Sequence, residues 1–150
     1  MKCDKEYRLS YTEKAEKLVE KMPLEEKVKL MSGKISMQDM MSHFMEGHHY
    51  NYIPYPAGGN EKLGVPEMKF CDGPRGAVQG NSTCFPVSMG RGAAFDTDLE
   101  ERIGQAIGKE IRAHGGNLFG GVCINLPYNP GWGRSQETYG EESFHLGQMG

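Results

Sequence analysis

The segment from residue 120 to residue 142 holds the chain's densest set of side chains that could bind a polar ligand. It contains Trp132 and Arg134, followed by Glu137 and Glu141. A guanidinium presents a fixed fork of hydrogen-bond donors, and an indole offers a flat apolar face. Together with two carboxylates, these groups suit a polar, ring-shaped ligand such as a sugar.

An apolar run lies directly before these polar residues. Residues 122–126 are bounded by glycine on one side and by Pro127 on the other, which favours a short buried parallel strand over a helix. Pro130 and Gly133 then exclude a helix and set turns. Arg134 would therefore lie beyond the carboxyl end of the strand, where ligands bind in α/β barrels and in open sheets.

Asp72 follows a second run that resembles a strand. Residues 63–71 are predicted to form this strand, and the Gly73-Pro74 turn would hold the Asp72 carboxylate outward. On the residues alone, Asp72 is explained equally well as a ligand-binding group and as an aspartate that caps its own turn.

Three helices are predicted around these strands. Thr12 is the expected N-cap of the first, Pro23 the expected first residue of the second, and a capping box from Thr97 to Glu100 opens the third. The third helix carries apolar residues at helical spacing, which predicts a buried stripe. Its members are Leu99, Ile103, Ala106, Ile107 and Ile111.

Residues 35–57 show no clear periodicity and leave two interpretations open. Tyr50, Tyr52 and Tyr55 could line a loop over the mouth of a pocket, or the segment could be a structural arm. The histidines between positions 43 and 49 have no regular i, i+4 pair and no acids or cysteines at ligand spacing. The sequence therefore indicates no metal site there.

Strands and helices alternate along the chain, which indicates an α/β fold with a parallel sheet. Periodicity does not separate a closed barrel from an open sheet. The net charge of −3 and a pI near 6.0 give no basic stripe for nucleic acid and no polybasic membrane anchor. A neutral polar small molecule is the expected ligand, and no cofactor is indicated.

The termini and cysteines point to an ordinary intracellular chain. Residues 1–11 do not form a secretory signal, and no apolar run reaches the ~20 residues that cross a bilayer, so a cytoplasmic location is expected. The four cysteines, of which Cys3 is the first, show no paired short spacing. Neither a zinc site nor a disulfide framework is predicted.

Three segments together resemble glycoside hydrolase family 3, the β-glucosidases and their relatives. Residues 125–141 (N-x-x-x-x-P-x-x-G-R-x-x-E-x-Y-x-E) are similar to the family's second-strand signature. Residues 70–76 (F-C-D-G-P-R-G) are similar to its first-strand motif, and residues 22–28 (M-P-L-E-E-K-V) to its N-terminal lead-in. The segments occur in family order and at family-like spacing, and the resemblance covers most of the chain.

The resemblance implies a fold and an activity. Residues 63–150 would be the opening β/α units of a TIM-type (β/α)8 barrel, and residues 1–62 a helical and loop lead-in packed on it. Such a barrel needs roughly 250 residues, so the barrel is expected to be incomplete at the C-terminus. The chain would be the N-terminal part of a retaining β-glycosidase that acts on terminal, non-reducing β-linked sugars. Its nucleophile and acid/base are expected beyond Gly150.

The resemblance also assigns site residues. Asp72 would accept hydrogen bonds from hydroxyls of the non-reducing sugar, and Arg134 would contact the same sugar. Arg75 is a third candidate, which would either orient Asp72 or touch the ligand. Glu137 and Glu141 are expected to support Arg134, and the alternative for Arg134 itself is a purely structural pairing with one of them.

One position departs from the family pattern. Tyr128 occupies the place where the family usually has an arginine, and a tyrosine cannot supply that charge. This departure keeps a second hypothesis open, namely a non-catalytic or degenerate carbohydrate-binding or assembly module that lacks the catalytic half. The expected partner in either case is a β-glucoside or a related oligosaccharide, and a homo-oligomer is left open.

Overall fold

A computed structural model describes residues 5–150 of the chain. It confirms a mixed helix-and-strand protein, whereas the closed barrel stays a prediction. In chain order the elements are α1 Lys5–Leu9, α2 Thr12–Glu20, α3 Leu24–Leu30, α4 Met37–Met45, β1 Tyr55–Ala57, β2 Met68–Cys71, α5 Ser88–Gly92, α6 Thr97–Ala113, β3 Leu118–Phe119 and α7 Ser143–Met149. Two short 3-10 helices cover Glu61–Leu63 and Ser135–Glu137.

The three strands form one sheet in the order β1-β2-β3. Strands β2 and β3 are parallel, with Phe70 opposite Leu118, and the long helix α6 lies between them in the sequence. This is the strand-helix-strand unit that the sequence predicts. Strand β1 was not predicted, and it pairs with β2 in the antiparallel direction, with Tyr55 opposite Phe70.

The first predicted strand is shorter than expected. Residues 63–71 do not form one continuous strand, because Leu63 ends a 3-10 helix and Gly64 turns the chain with a φ of 66°. The regular strand begins at Met68, after Pro66, which has no N–H to donate to a sheet. Asp72 nevertheless follows the last strand residue directly, as predicted.

The second predicted strand is wrong in position. The parallel partner of β2 is Leu118–Phe119, and residues 122–126 form no strand in the described part of the chain. Val122 and Ile124 are 45% and 54% exposed. Their apolar character was read correctly, but a strand also needs a neighbour to receive its hydrogen bonds, and residues 5–150 supply none here.

Helix α6 carries the core. Its buried stripe is confirmed at Ile103, Ile107 and Ile111, which pack with Cys71 of β2 and with Ala77. Leu99 and Phe119 are partly buried residues at the edge of this cluster. The core therefore lies between the helix and the strand that ends at Asp72.

The predicted caps at Thr97 and Thr12 are wrong. Asp96 is the N-cap of α6, and its carboxylate accepts a hydrogen bond from the Leu99 N–H at 2.8 Å. Glu100 cannot complete a capping box, because it is turned into the protein interior. Thr12 lies inside α2, whose N-cap residue Tyr11 makes no side-chain cap bond.

The N-terminal helices expose apolar side chains. Pro23 is the N-cap of α3 rather than its first helical residue, and Leu24 and Met31 are 75% and 82% exposed. Helix α4 falls in the segment where no helix was predicted. Its capping box between Ser36 and Asp39 is a local signal that the sequence contained.

A buried ion pair ties the two candidate loops together. Arg91 donates from Nη1 to Glu100 Oε1 at 2.7 Å and from Nη2 to the carbonyl of Pro74 at 2.7 Å. The Tyr139 hydroxyl donates to the same Glu100 oxygen at 2.7 Å. Burial, and then the hydrogen bond to Glu100, raise the pKa of Tyr139. The turn after Asp72 is thus connected to the segment that follows the Arg134 loop.

The division into residues 1–62 and 63–150 stays a prediction. Strand β1 lies on the N-terminal side of that boundary and hydrogen-bonds to β2 on the other side. Cys71, Cys84 and Cys123 are free thiols, and Cys3 lies outside the described residues. Between residues 5 and 150, no helix is long and apolar enough to cross a membrane, and no three side chains cluster as metal ligands.

Candidate functional site

Asp72 lies at the carboxyl end of β2, half-buried. Its N–H donates to Asn51 Oδ1 at 2.7 Å, and its own Oδ1 accepts from the Gly73 N–H at 2.8 Å. Gly73 has a φ of 117°, a conformation that favours glycine. The interpretation of Asp72 as a turn-capping residue therefore describes part of its bonding. A carboxylate accepts up to about four hydrogen bonds, so acceptor positions remain for a ligand.

Tyr50 reaches this carboxylate from the N-terminal segment. Its hydroxyl lies within the electrostatic reach of Asp72, and its ring stands edge-on to Tyr55 with centroids 5.6 Å apart. Burial, followed by the negative charge of Asp72, raises the pKa of the Tyr50 hydroxyl.

Arg134 forms a two-pronged ion pair with Glu137. Nε lies 2.9 Å from Oε1 and 3.0 Å from Oε2, and Nη2 lies 2.6 Å from Oε2. The Arg134 side chain is 64% exposed and that of Glu137 is 19% exposed. This geometry suits both interpretations of Arg134, because the pairing holds the loop while most of the guanidinium stays open to a ligand.

The two loops share one electrostatic environment. Hydrogen bonding to Glu137 raises the pKa of Arg134, and the charge of Asp72 adds to the same shift. Cys123 donates from Sγ to Glu137 Oε2 at 3.4 Å, and burial followed by this contact raises the pKa of the thiol. The charge of Asp72 thus acts on Arg134 and on Cys123, whereas within residues 5–150 no side-chain hydrogen bond joins Asp72 to Arg134 or Glu137.

Arg75 and Glu141 lie apart from this group. Both are exposed, and neither side chain makes a hydrogen bond within residues 5–150. The Arg75 carbonyl accepts from the Phe85 N–H at 2.7 Å, so its backbone holds the turn. Glu141 lines a surface depression of about 280 Å³ together with Tyr128, which is 88% exposed.

Sequence reasoning missed three members of the site. Tyr50 was named only as part of a possible loop, and Cys123 was counted only among the four cysteines without paired short spacing. Asn51 was not noticed, although it is fully buried and adopts a φ of 53°. Asparagine tolerates this left-handed conformation better than most residues, but one asparagine in an irregular segment gives no signal that can be read without the structure.

Replacing Glu137 by glutamine should change the acid dependence of stability. The hydrogen bond from Arg134 holds the pKa of Glu137 below its ordinary value of 4.5. The stabilisation is therefore fully present above pH 4.5 and is lost as the pH falls through the lowered pKa. We expect Glu137→Gln to lower the unfolding temperature slightly at pH 7, since the pair is exposed, and to have no effect once Glu137 is protonated.

Unfolding temperatures of both proteins measured between pH 7 and pH 3 would check this prediction. Glu141→Gln is the matched control, because Glu141 is exposed and makes no ion pair within the described residues. A difference between wild type and Glu137→Gln that stays constant, or that grows toward pH 3, would contradict the assigned role of the ion pair.

Comparison with known proteins identifies relatives over most of the chain. Residues 27–150 match the glycosyl hydrolase family 3 N terminal domain. A beta-glucosidase from Rhizobium radiobacter is 32% identical over 83% of this chain and 14% of its own length. Beta-glucosidase B from Emericella nidulans is 31% identical over 89% of this chain and 14% of its own length.

Solved structures show the same likeness. Beta-glucosidase 3B from Thermotoga neapolitana, in complex with glucose, superimposes with a TM-score of 0.70 at 26% identity. The match covers 89% of this chain and 20% of that protein. The chain therefore corresponds to about one seventh of the length of these curated relatives and one fifth of the solved chain.

Proposed function

This chain belongs to glycosyl hydrolase family 3, and on that premise we propose that it is the N-terminal part of a β-glucosidase-like glycosidase. The protein would hydrolyse O-glycosyl bonds of terminal, non-reducing β-linked sugars. The observation that carries the proposal is the position of Asp72 at the carboxyl end of β2, in a chain whose residues 27–150 match this family and whose relatives are named β-glucosidases. The Arg134–Glu137 ion pair supports it.

The site offers complementary groups for a sugar diol. Asp72 is an acceptor at the end of β2, and Arg134 is a donor on the neighbouring loop. Hydrogen bonds to charged groups are worth about 1.5 to 3 kcal/mol each. Glu137 fixes the plane of the guanidinium by holding Nε and Nη2. We therefore assign Asp72 and Arg134 to direct sugar contact and Glu137 to their support.

Arg75 and Glu141 remain weaker members of the proposal. Arg75 is exposed in the turn that begins at Asp72, and we propose that it touches the bound ligand or orients Asp72. Glu141 borders the depression next to Tyr128, and it would support that part of the loop rather than Arg134.

The reaction itself would need groups from outside these 150 residues. A retaining glycosidase uses two carboxyl groups about 5 Å apart, one as the nucleophile and one as the acid/base. A general acid needs a raised pKa, whereas the pKa of Glu137 is lowered by Arg134. We propose that both catalytic carboxyls lie beyond Gly150 and that residues 63–150 supply the first β/α units of a barrel, with residues 1–62 as its lead-in.

A second function is favoured by Tyr128. This residue is 88% exposed and stands where the family usually has an arginine. A subsite without that positive charge would suit a carbohydrate-binding or assembly module that no longer catalyses hydrolysis. Such a module would still bind a sugar at Asp72 and Arg134.

The deciding experiment compares this chain with the complete natural protein on aryl β-glucoside and aryl β-xyloside. Hydrolysis by the complete protein alone is the expected result. Hydrolysis by residues 1–150 would contradict the placement of both catalytic carboxyls. Glucose binding by calorimetry without hydrolysis in either form would select the binding module, and neither binding nor hydrolysis would reject both functions.

A further inference from the structure

We propose that Asn51 is a positioning residue that fixes Asp72, and that the N-terminal segment thereby forms one wall of the sugar subsite. This inference rests on the proposed function of Asp72. It concerns residues that the family motifs quoted above do not include, since Asn51 lies upstream of strand β2.

The side chain of Asn51 caps the carboxyl end of β2. Its Oδ1 accepts from the Asp72 N–H at 2.7 Å, and its Nδ2 donates to the Phe70 carbonyl at 3.2 Å. Phe70 is the second-to-last residue of β2, and Asp72 is the first residue after the strand. The side-chain amide of Asn51 thus satisfies backbone groups at the end of β2, where the strand pairing stops and Asp72 begins the turn.

The position of Asn51 is itself firmly determined. Its side chain is fully buried, its Oδ1 also accepts from Gln79 Nε2 at 2.7 Å, and its Nδ2 also donates to the Ile53 carbonyl at 3.1 Å. The backbone N–H donates to the Tyr55 hydroxyl at 2.8 Å, and the carbonyl accepts from Gln79 at 3.0 Å. A left-handed residue persists only where its surroundings over-determine it, and these contacts do so.

Fixing Asn51 also fixes its neighbour Tyr50. The ring of Tyr50 stands edge-on to that of Tyr55, whose hydroxyl accepts the Asn51 N–H, so the segment that holds the backbone of Asp72 is itself packed on β1. The Gly73 N–H occupies one acceptor position on Asp72 Oδ1. With the backbone of Asp72 held by Asn51 and its Oδ1 held by Gly73, the carboxylate has a preferred orientation, and its remaining acceptor positions are available to sugar hydroxyls.

Asn117, which bonds the opposite end of strand β2, provides a control for this inference. Asn117 Oδ1 accepts from the Lys69 N–H at 2.7 Å, and Asn117 Nδ2 donates to the Glu67 carbonyl at 2.9 Å. Asn117 therefore makes the same kind of bonds to the same strand, but away from Asp72. If substitution merely loosened β2, changing either Asn51 or Asn117 would affect sugar binding. If Asn51 positions Asp72, only the change at Asn51 would do so.

The test uses Asn51→Gly and Asn117→Gly in the complete protein, because glycine retains the left-handed backbone at position 51. We expect Asn51→Gly to raise KM for an aryl β-glucoside about tenfold, as for the loss of one charged hydrogen bond. Asn117→Gly should leave KM within about twofold. In an Asp72→Ala background, Asn51→Gly should have almost no further effect, since coupled residues are not additive.

Amide hydrogen exchange at Asp72 gives a readout that does not depend on hydrolysis. Asn51→Gly should speed exchange of the Asp72 N–H at least about tenfold relative to Asn117→Gly, because within residues 5–150 only Asn51 accepts that hydrogen. If Asn51→Gly fails to fold, Asn51→Asp gives the converse test, because an aspartate keeps the acceptor for the Asp72 N–H. Exchange at Asp72 should then stay within about twofold of the wild-type rate, and exchange about tenfold faster would overturn the positioning role.

The outcomes separate this inference from the proposed function. Unchanged exchange at Asp72, or a KM effect of equal size in the Asp72→Ala background, would overturn the positioning role of Asn51. The wild-type protein could hydrolyse no glycoside while Asn51→Gly still speeds exchange at Asp72. That result would reject the proposed function and keep the positioning role.

Discussion

Replacing Asp72 by alanine in the complete protein should lower kcat/KM for an aryl β-glucoside by at least about 100-fold. The proposed subsite gives Asp72 two charged hydrogen bonds to the sugar, and each is worth about 1.5 to 3 kcal/mol in a dry pocket. The fold should survive the change, because within residues 5–150 the half-buried side chain accepts a hydrogen bond only from the Gly73 N–H. Steady-state kinetics and a thermal unfolding curve on the same preparation would measure both effects.

Asp98→Ala is the matched control for this prediction. Asp98 is an exposed aspartate in the first turn of α6, far in sequence from either site loop. Its removal should leave kcat/KM unchanged. Unchanged kinetics in Asp72→Ala would remove Asp72 from the site, and a large loss of unfolding temperature without a kinetic effect would leave it as a turn-capping residue.

The second large effect concerns the buried pair of Arg91 and Glu100. Their side chains are 3% and 9% exposed. Removing one partner of a buried pair leaves an uncompensated charge, which costs about 3 to 5 kcal/mol. Glu100→Ala should therefore lower the free energy of unfolding by about this amount, and it also removes the acceptor of the Tyr139 hydroxyl.

Denaturant unfolding of Glu100→Ala and Glu13→Ala would measure this effect against a control. Glu13 pairs with Lys17 on the surface of α2, where both side chains are more than half exposed, so its loss should hardly change stability. Equal effects in the two variants would show that the Arg91–Glu100 pair is not a structural tie between the loops. Since Arg91 also holds the Pro74 carbonyl, loosening of the Asp72 turn should accompany the loss of stability.

The features that could be predicted from the sequence have local causes. Asp72 was placed correctly because an apolar run and turn-forming residues surround it within a few positions. The stripe of α6 was placed correctly because its spacing repeats over four turns. Glu100 sits on that stripe, three residues before Ile103. A carboxylate at a buried helical position was a readable sign that it has a buried cationic partner.

The features that sequence reasoning missed depend on distant partners. Residues 122–126 have the composition of a strand, but pairing decides whether they become one, and β2 pairs with Leu118–Phe119 instead. Asn51 contacts Asp72 and Gln79, which lie 21 and 28 positions later in the sequence. No spacing rule predicts such contacts. Helix α4 is different, because its capping box was present in the sequence and was not used.

The antiparallel strand β1 has a consequence for how the domain can close. In a cylinder of eight parallel strands every strand has two parallel neighbours, whereas β2 has β3 on one side and the antiparallel β1 on the other. Any closed sheet that keeps β2 in this pairing therefore has a seam at which the strand direction reverses. The reversal lies two residues before Asp72, where Tyr55 is opposite Phe70. Changes in β1 can therefore alter the surroundings of Asp72 without altering the parallel pair of β2 and β3.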